Sequence, residues 1–341
     1  MTDNTSNWMA RLAPYRQPDA RRAVLEIIIT IVPFMAVWAT MLWLMQYSVW
    51  LAWLLVPLGG ALLVRLFIIQ HDCGHSSMFQ SRGANDWVGR ALGVLTLTPY
   101  DYWRRSHALH HSTSSNLDRR GIGDITTLTV EEYRALGFWG KLGYRVYRHP
   151  IVLFVIGPAW LFIITHRLPL TAARRGELPW ASTMGTNVGI AAIYGAMMYA
   201  VGPWNFLLIQ LPIAAFASSL GVWLFYVQHQ FEETHWERQP EWTHEDAALH
   251  GSSFYDLPRP LMWLTGNIGI HHVHHLSSRI PFHRLPAVIR DFPELKTEAQ
   301  RFSFIDSLKC VPLTLWDEKA RKLVSFRQSR QAMSAAAVPA E

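Results

Sequence analysis

Charged residues and cysteine are scarce in this chain. Asp, Glu, Lys and Arg make up 16% of its 341 residues, against 50% hydrophobic residues and 16 tryptophans. An ordinary soluble domain carries about 25% charged residues, so the deficit points to one polytopic membrane domain with polar loops. The only cysteines are Cys73 and Cys310. Two thiols exclude a disulfide framework and cannot alone build a four-cysteine zinc or iron–sulfur site. There is no Gly-rich nucleotide fingerprint and no internal repeat, and the polar N-terminus shows no cleavable signal peptide. No fused electron-carrier domain is expected in the remaining length. Residues 1–10 and the Ala/Ser/Gln-rich 326–341 read as flexible ends around a single domain at 11–325. The net charge is +6, with arginines flanking apolar segments. That pattern fits membrane topology and anionic lipid, not nucleic acid.

Four apolar segments, about 24–45, 49–70, 184–201 and 204–227, approach the ~20 residues a spanning helix needs. They pair as two hairpins whose turns, Gln46-Tyr47-Ser48 and Gly202-Pro203, carry no charge. The long loops hold Arg11, Arg16, Arg21 and Arg22, then Arg82, Arg90, Arg104 and Arg105, then Arg174 and Arg175. The positive-inside rule therefore puts both termini and the large loop in the cytoplasm. Residues 88–99 are too short to span, and 150–165 contain Pro150, Gly157 and Pro158. Both are expected to be re-entrant or interfacial, because a full crossing at 150–165 would separate His229 from His107–His111. Glu26 and Arg65, near span ends, are expected to snorkel to the cytoplasmic edge.

Against this apolar background stand three histidine boxes: His71-Asp72-Cys73-Gly74-His75, His107-Ala108-Leu109-His110-His111 and His271-His272-Val273-His274-His275. On a helix, residues four apart share a face, so His71 and His75 can aim at one metal. In HxxHH the adjacent pair splays by about one-third of a turn, which lets a second metal reach the odd histidine. Imidazole suits iron, copper, zinc and nickel. Asp72 points off the His71/His75 face, so the set reads as all-histidine, unlike the carboxylate-rich di-iron sites of soluble bundles. His149, His166, His235, His244, His250 and His283 lie outside the boxes and read as surface or core residues. Cys73 reads as a small packing residue.

The boxes resemble those of the membrane fatty acid desaturase superfamily, in its acyl-lipid, bacterial Δ12/ω6-type branch. The resemblance lies in HDCGH with Phe79 four residues on, HALHH, and HHVHH followed by Leu-Ser-Ser-Arg-Ile-Pro-Phe. The segment Phe225-Tyr226-Val227-Gln228-His229-Gln230-Phe231-Glu232 looks like a fourth element of that branch, and the likeness covers roughly residues 11–325. It implies an all-α membrane bundle with a cytosolic cap carrying two irons. The implied ligands are His71, His75, His107, His110, His111, His271, His274 and His275, completed by His229. His272 falls at a variable position and would tune or pack. Asp72, Asp101 and Asp124 are candidate acceptors for imidazole N–H groups, and Asn267 is a candidate holder of a metal-bound water or a plain polar cap.

An unactivated methylene offers no acidic proton and no leaving group, so acid–base chemistry cannot remove its hydrogens. The resemblance implies that iron and O2 do so, leaving a cis double bond in a fatty acyl lipid. O2 becomes water with two electrons from the substrate and two from an external donor, a ferredoxin or cytochrome b5-like protein with its reductase. An apolar tunnel would hold the chain. The expected protein is a bacterial inner-membrane oxidoreductase with a cytoplasmic metal site. Four alternatives stay open: a Δ9 desaturase, a hydroxylase or ketolase using the same iron chemistry, a membrane metal transporter and a zinc hydrolase. A transporter would place polar ligands at the bilayer midplane, not beyond the span ends.

Overall fold

The computed structural model describes residues 8–121, 123–168 and 180–336. It is a largely helical membrane bundle. The helices that position the site are α1 (Ala20–Leu44), α2 (Val56–Gly74), α3 (Arg82–Leu95), α4 (Tyr100–Thr113), α5 (Trp180–Val201), α6 (Pro203–His229) and α7 (His271–Leu276). Among them α1, α2, α5 and α6 are long and apolar enough to cross a bilayer. The largest departure from the expected limits is at 49–70. There a short Val49–Trp53 helix precedes α2, and α2 runs on through the first histidine box. Polar His71 and Asp72 end the hydropathy signal but not the helix. Arg174 and Arg175, part of the charge argument, lie outside the described residues.

Local sequence sets the helix ends. Asp19 accepts the backbone N–H groups of Arg21 and Arg22 at 3.0 and 3.1 Å and so caps α1. Ser81 caps α3 in the same way. Pro203 opens α6, where its missing N–H costs nothing. Helix α2 is the central pole: from Gly59 to Cys73 every residue except Phe67 is buried. It packs on α1, α3 and α6. A Cβ at Gly60 would stand 2.5 Å from Phe216 Cδ1, so α2 and α6 cross this closely only because position 60 has no side chain. Outward, α1 exposes Ile28, Val32 and Met35, while Trp43, Tyr47, Trp50 and Trp204 stand exposed near the hairpin turns. That is the arrangement of a lipid-facing surface ending in an aromatic belt.

Phe138–Tyr147 and Val152–Arg167 are jointly apolar enough to cross, but they bend by 59° between them, as a broken span or a re-entrant loop would. A π-helical turn at Val152–Ile156 leads into Gly157-Pro158, and this segment packs against α6. Residues 88–99 fall on α3 and the turn that follows it.

Three expectations change. Residues Trp8–Arg11 are helical, with Trp8 buried edge-on against Phe292 at 5.9 Å, so the expected loose end at 1–10 holds at most for residues 1–7, which lie outside the described residues. Phe326–Ala336 is also helical, and Phe326 packs on Tyr133 and Tyr144; only 337–341 of the expected tail lie outside the described residues. In both places one aromatic anchors an otherwise polar stretch. Third, Arg65 and Glu26 do not snorkel. Both side chains are 1% exposed and pair at 2.5 Å between α1 and α2. Arg65 also donates to Thr30 Oγ1 at 3.0 Å and to the Trp263 carbonyl, with its guanidinium 4.0 Å from the Trp263 ring. Arg22 approaches Glu26 from the α1 side at 2.5 Å. A partner directly opposite on α1 makes pairing cheaper than reaching for the interface. Short strands complete the cap: Leu315–Asp317 pairs with Leu128–Thr129 and Lys322–Val324, and Phe254–Tyr255 pairs with Arg301–Phe302.

Glu26→Leu alone strands the buried Arg65 charge and should destabilise the bundle by about 3–5 kcal/mol, whereas Arg65→Met alone should cost less because Arg22 still pairs with Glu26. The double replacement should recover most of that loss, and thermal unfolding of the four proteins in detergent measures the cycle.

Candidate metal centre

Four helices deliver nine imidazoles to one place. The end of α2 brings His71 and, at its cap, His75. Helix α4 brings His107, His110 and His111 from its last two turns. His229 is the final residue of α6. The short helix α7 brings His271, His274 and His275 and is buried along its whole length. The rings divide into two groups, His71, His75, His107, His111 and His274, and His110, His229, His271 and His275. Within each group the donor atoms lie within 4.8 Å of one another.

Helical phase explains the division. His71/His75, His107/His111 and His271/His275 are each four apart and stay together. His110 and His274, the odd members of their boxes, cross to the opposite group. The groups touch where His111 and His275 stack with ring centroids 4.1 Å apart.

The nitrogens are placed as ligands would be. His107 Nε2 stands 3.1 Å from both His75 Nε2 and His111 Nε2, and His111 Nε2 stands 3.1 Å from His274 Nε2. In the second group His271 Nε2 and His229 Nε2 are 3.0 Å apart. A neutral imidazole nitrogen carries one hydrogen or one lone pair, so this row cannot satisfy itself by hydrogen bonding. A cation between the rings can. At metal–nitrogen distances of about 2.1 Å, ligands at right angles stand about 3.0 Å apart. Nε2 of His110 and His275 is also buried without a partner. Burial, and after it the neighbouring imidazoles, hold His75, His107, His111, His271, His274 and His275 well below the usual imidazole pKa. They are therefore neutral, the form that binds metal.

The candidate orienting groups separate. Asp72 Oδ1 lies 2.9 Å from His71 Nδ1, while its Oδ2 accepts the Phe282 N–H at 2.6 Å, tying the first box to the flank of the third. Asp124 Oδ1 lies 2.5 Å from His110 Nδ1. Asp101 is a correction: it binds Arg90 through two contacts of 2.9 and 3.1 Å and holds no imidazole. It sits in the first turn of α4, pointed at the neighbouring α3 instead of down the helix. Asn267 fits the plain polar-cap alternative. It occupies a left-handed turn at φ 52°, and its side-chain amide donates to the Phe282 carbonyl at 3.4 Å. A tight turn before α7 accounts for it. His272 lies outside both groups, buried 5.8 Å from the Phe254 ring, and burial pushes its pKa to about 4. The other single histidines belong to neither group.

Some contributors are not among the expected residues. The Gly251 carbonyl lies 3.2 Å from His229 Nδ1, leaving Nε2 free to face His271. Trp103 stacks on His107 at 4.6 Å, and Phe225 lies 5.1 Å from both His110 and His229. One turn of helix separates Trp103 from His107 and Phe225 from His229, and that spacing could have found both.

A cavity of about 490 Å³ reaches His71, His107 and His271 and is lined mainly by apolar side chains, among them Phe67, Leu153, Leu161 and Phe162. It follows one face of α6 from Ala214 to Gln228, about 21 Å at the helical rise. His166 and Thr96 are polar exceptions in its wall.

A family model described as fatty acid desaturase matches residues 48–303. The chain belongs to the fatty acid desaturase family. A fatty acid desaturase of Bacillus subtilis (strain 168) is 43% identical over 317 residues, covering 93% of this chain and 89% of the relative. An sn-1 oleoyl-lipid 12-desaturase of Synechocystis is 26% identical over 271 residues, covering 79% and 75%. An sn-1 acyl-lipid omega-3 desaturase (ferredoxin) of Nostoc is 28% identical over 246 residues, covering 69% and 66%. This desaturase is thus an oxidoreductase of fatty acid metabolism and a membrane protein, and its histidine groups are able to bind metal.

Proposed function

We propose that the desaturase holds two irons and uses O2 to introduce a cis double bond, at a Δ12/ω6-type position, into a fatty acyl chain carried by a membrane lipid. The observation that carries this reading is the meeting of nine imidazoles in two groups beside an apolar cavity that His71, His107 and His271 line. All-nitrogen donor sets of this kind suit first-row metals, iron among them. His71, His75, His107, His111 and His274 would hold one iron, and His110, His229, His271 and His275 the other. Bound there, the irons supply the O2-dependent removal of two hydrogens from neighbouring methylenes. The protein's part is placement. Asp72, Asp124 and the Gly251 carbonyl fix three rings through Nδ1, which leaves each Nε2 aimed inward. The cavity keeps water from an alkyl chain laid along α6 and brings it past His71, His107 and His271. The Synechocystis relative's name supports the regiochemistry.

If this ligand set holds, metal analysis should find about two irons per chain. His229→Ala should lose one iron preferentially, and His272→Ala should keep both. Asp124→Ala should weaken iron retention about 10–100-fold, whereas Asp101→Ala should leave it unchanged. An inactive His272→Ala beside a His229→Ala that keeps both irons would overturn the assignment.

Expression in a host that supplies monoenoic lipids, followed by mass spectrometry that locates double bonds, should show one added double bond. A gain of oxygen instead would make the enzyme a hydroxylase. Gly221 adds a test of the cavity. It sits inside α6 in the cavity wall, and a Cβ there would meet nothing within 4 Å. Glycine inside a helix costs about 1 kcal/mol relative to alanine, and no close packing contact explains it here. Gly221→Leu should fill the bore and cut product yield about tenfold or more at unchanged iron content.

The same reading puts the protein in a bacterial inner membrane with termini and metal site on the cytoplasmic side. Its support is the arginine content of the loops. Reporters fused after residues 80, 120, 176 and 240 should all register cytoplasm. A periplasmic signal at 176 would make the bent 138–167 segment a full crossing.

A further inference from the structure

The desaturase reading leaves two electrons per turnover to be delivered from outside. The acyl chain gives two electrons and two hydrogens. Two further electrons and two protons are then required to turn O2 into two waters. These 341 residues hold no nucleotide fingerprint and only two cysteines, both buried, so the desaturase domain stores no electrons of its own and a carrier has to dock on it.

One surface feature fits such a partner. A concavity of about 790 Å³ opens between the segment before α1, the end of α2 and α4. Five arginines line it: Arg16, Arg82, Arg104, Arg105 and Arg279. Among the described residues, the only carboxylate paired with any of them is Asp86, which is 2.5 Å from Arg104 and 3.9 Å from Arg82. Arg105 and Arg279 are exposed and have no ion-pair partner among the described residues. Elsewhere on the cap, arginines are commonly neutralised: Arg11 by Glu294, Arg301 by Asp256 and Arg321 by Glu237. Uncompensated positive charge in a concave wall concentrates field lines and draws in an acidic partner.

The wall also includes residues next to the metal centre. Gly74 and Ala108 line the concavity, each next in sequence to a partly exposed histidine of the first group, His75 and His107. The second group is buried throughout. Helix α4 turns Arg104, Arg105 and Ala108 to the concavity and Trp103, Ser106 and His107 to the acyl cavity, and the two spaces share no lining residue. A lipid whose chain lies in the cavity therefore has no continuous path to place its headgroup among these arginines.

We propose that this arginine-lined concavity is the docking surface for an acidic one-electron carrier protein, which reduces the metal pair through the His75/His107 side. Resting on the desaturase reading, it takes two dockings per turnover, each oxidising one carrier by one electron. The test uses full-length, iron-loaded protein in nanodiscs, a purified cyanobacterial [2Fe–2S] ferredoxin as probe, and the double variant Arg105→Glu with Arg279→Glu. Both side chains are exposed, and among the described residues neither makes an ion pair or a side-chain hydrogen bond that reversal would break. Binding should weaken about tenfold or more and lose most of its salt dependence, and reduction of the iron by ferredoxin should slow in parallel. Reduction by dithionite should proceed at the wild-type rate, and Arg105→Lys with Arg279→Lys should restore binding. Unchanged ferredoxin affinity in the double variant would overturn the proposal. So would a variant whose only change is reduced retention of phosphatidylglycerol, which would make the concavity a lipid site. A wild-type protein that binds and accepts electrons without forming a double bond would instead count against the desaturase reading.

Discussion

Nine imidazoles must be kept neutral, dry and converged, and most of the fold serves that requirement. Lone pairs that face each other at 3.0–3.1 Å repel unless a proton or a cation lies between them. The scaffold therefore has to impose the arrangement on side chains that gain little from it alone. It does so with helix ends. His71 and His229 sit on the last turns of α2 and α6, two helices pressed together at Gly60 and Phe216. Backbone hydrogen bonds fix where each Cα lies, and an Nδ1 contact fixes the rotation of three of the rings.

The membrane supports this rigidity from outside. Lipid-facing α1 and α5 have exposed apolar flanks, whereas α2 is enclosed on nearly every side. Enclosure explains why Arg65 is paired with Glu26 and not drawn toward the headgroups. A buried pair of this kind fixes the register of α1 against α2. It thereby fixes where the helix carrying His71 ends.

The histidine groups were legible in the sequence because spacing on a helix determines facing. Three-and-four spacing separates the odd member of each HxxHH box from its four-apart pair, but which pairs share a group depends on how the helices meet. The spans were legible because apolar runs are long. Their ends were less so, since α2 continues through polar His71 and Asp72. The orienting carboxylates show where such reasoning stops. Asp101 and Asp124 are the same residue type on either side of the second box, yet one meets Arg90 and the other His110. That difference depends on the path of the loop after α4, which no local pattern encodes. The Gly251 carbonyl and the cavity wall are properties of packing between distant segments and were equally hidden. His272 was separable from its neighbours only through the resemblance, because its own spacing within the box looks no worse than theirs.

The crossing of His110 and His274 has a consequence for how such a centre can arise and decay. Helices α4 and α7 each give two rings to one group and one to the other, whereas α2 serves only the first and α6 only the second. Neither pocket can be dismantled by removing a shared helix without damaging its twin. Pruning toward a single-ion ancestor or descendant is open only through α2 or α6, and these are membrane crossings on which the bundle itself depends. The paired centre is interlocked like two links of a chain, which makes partial versions of it hard for evolution to visit.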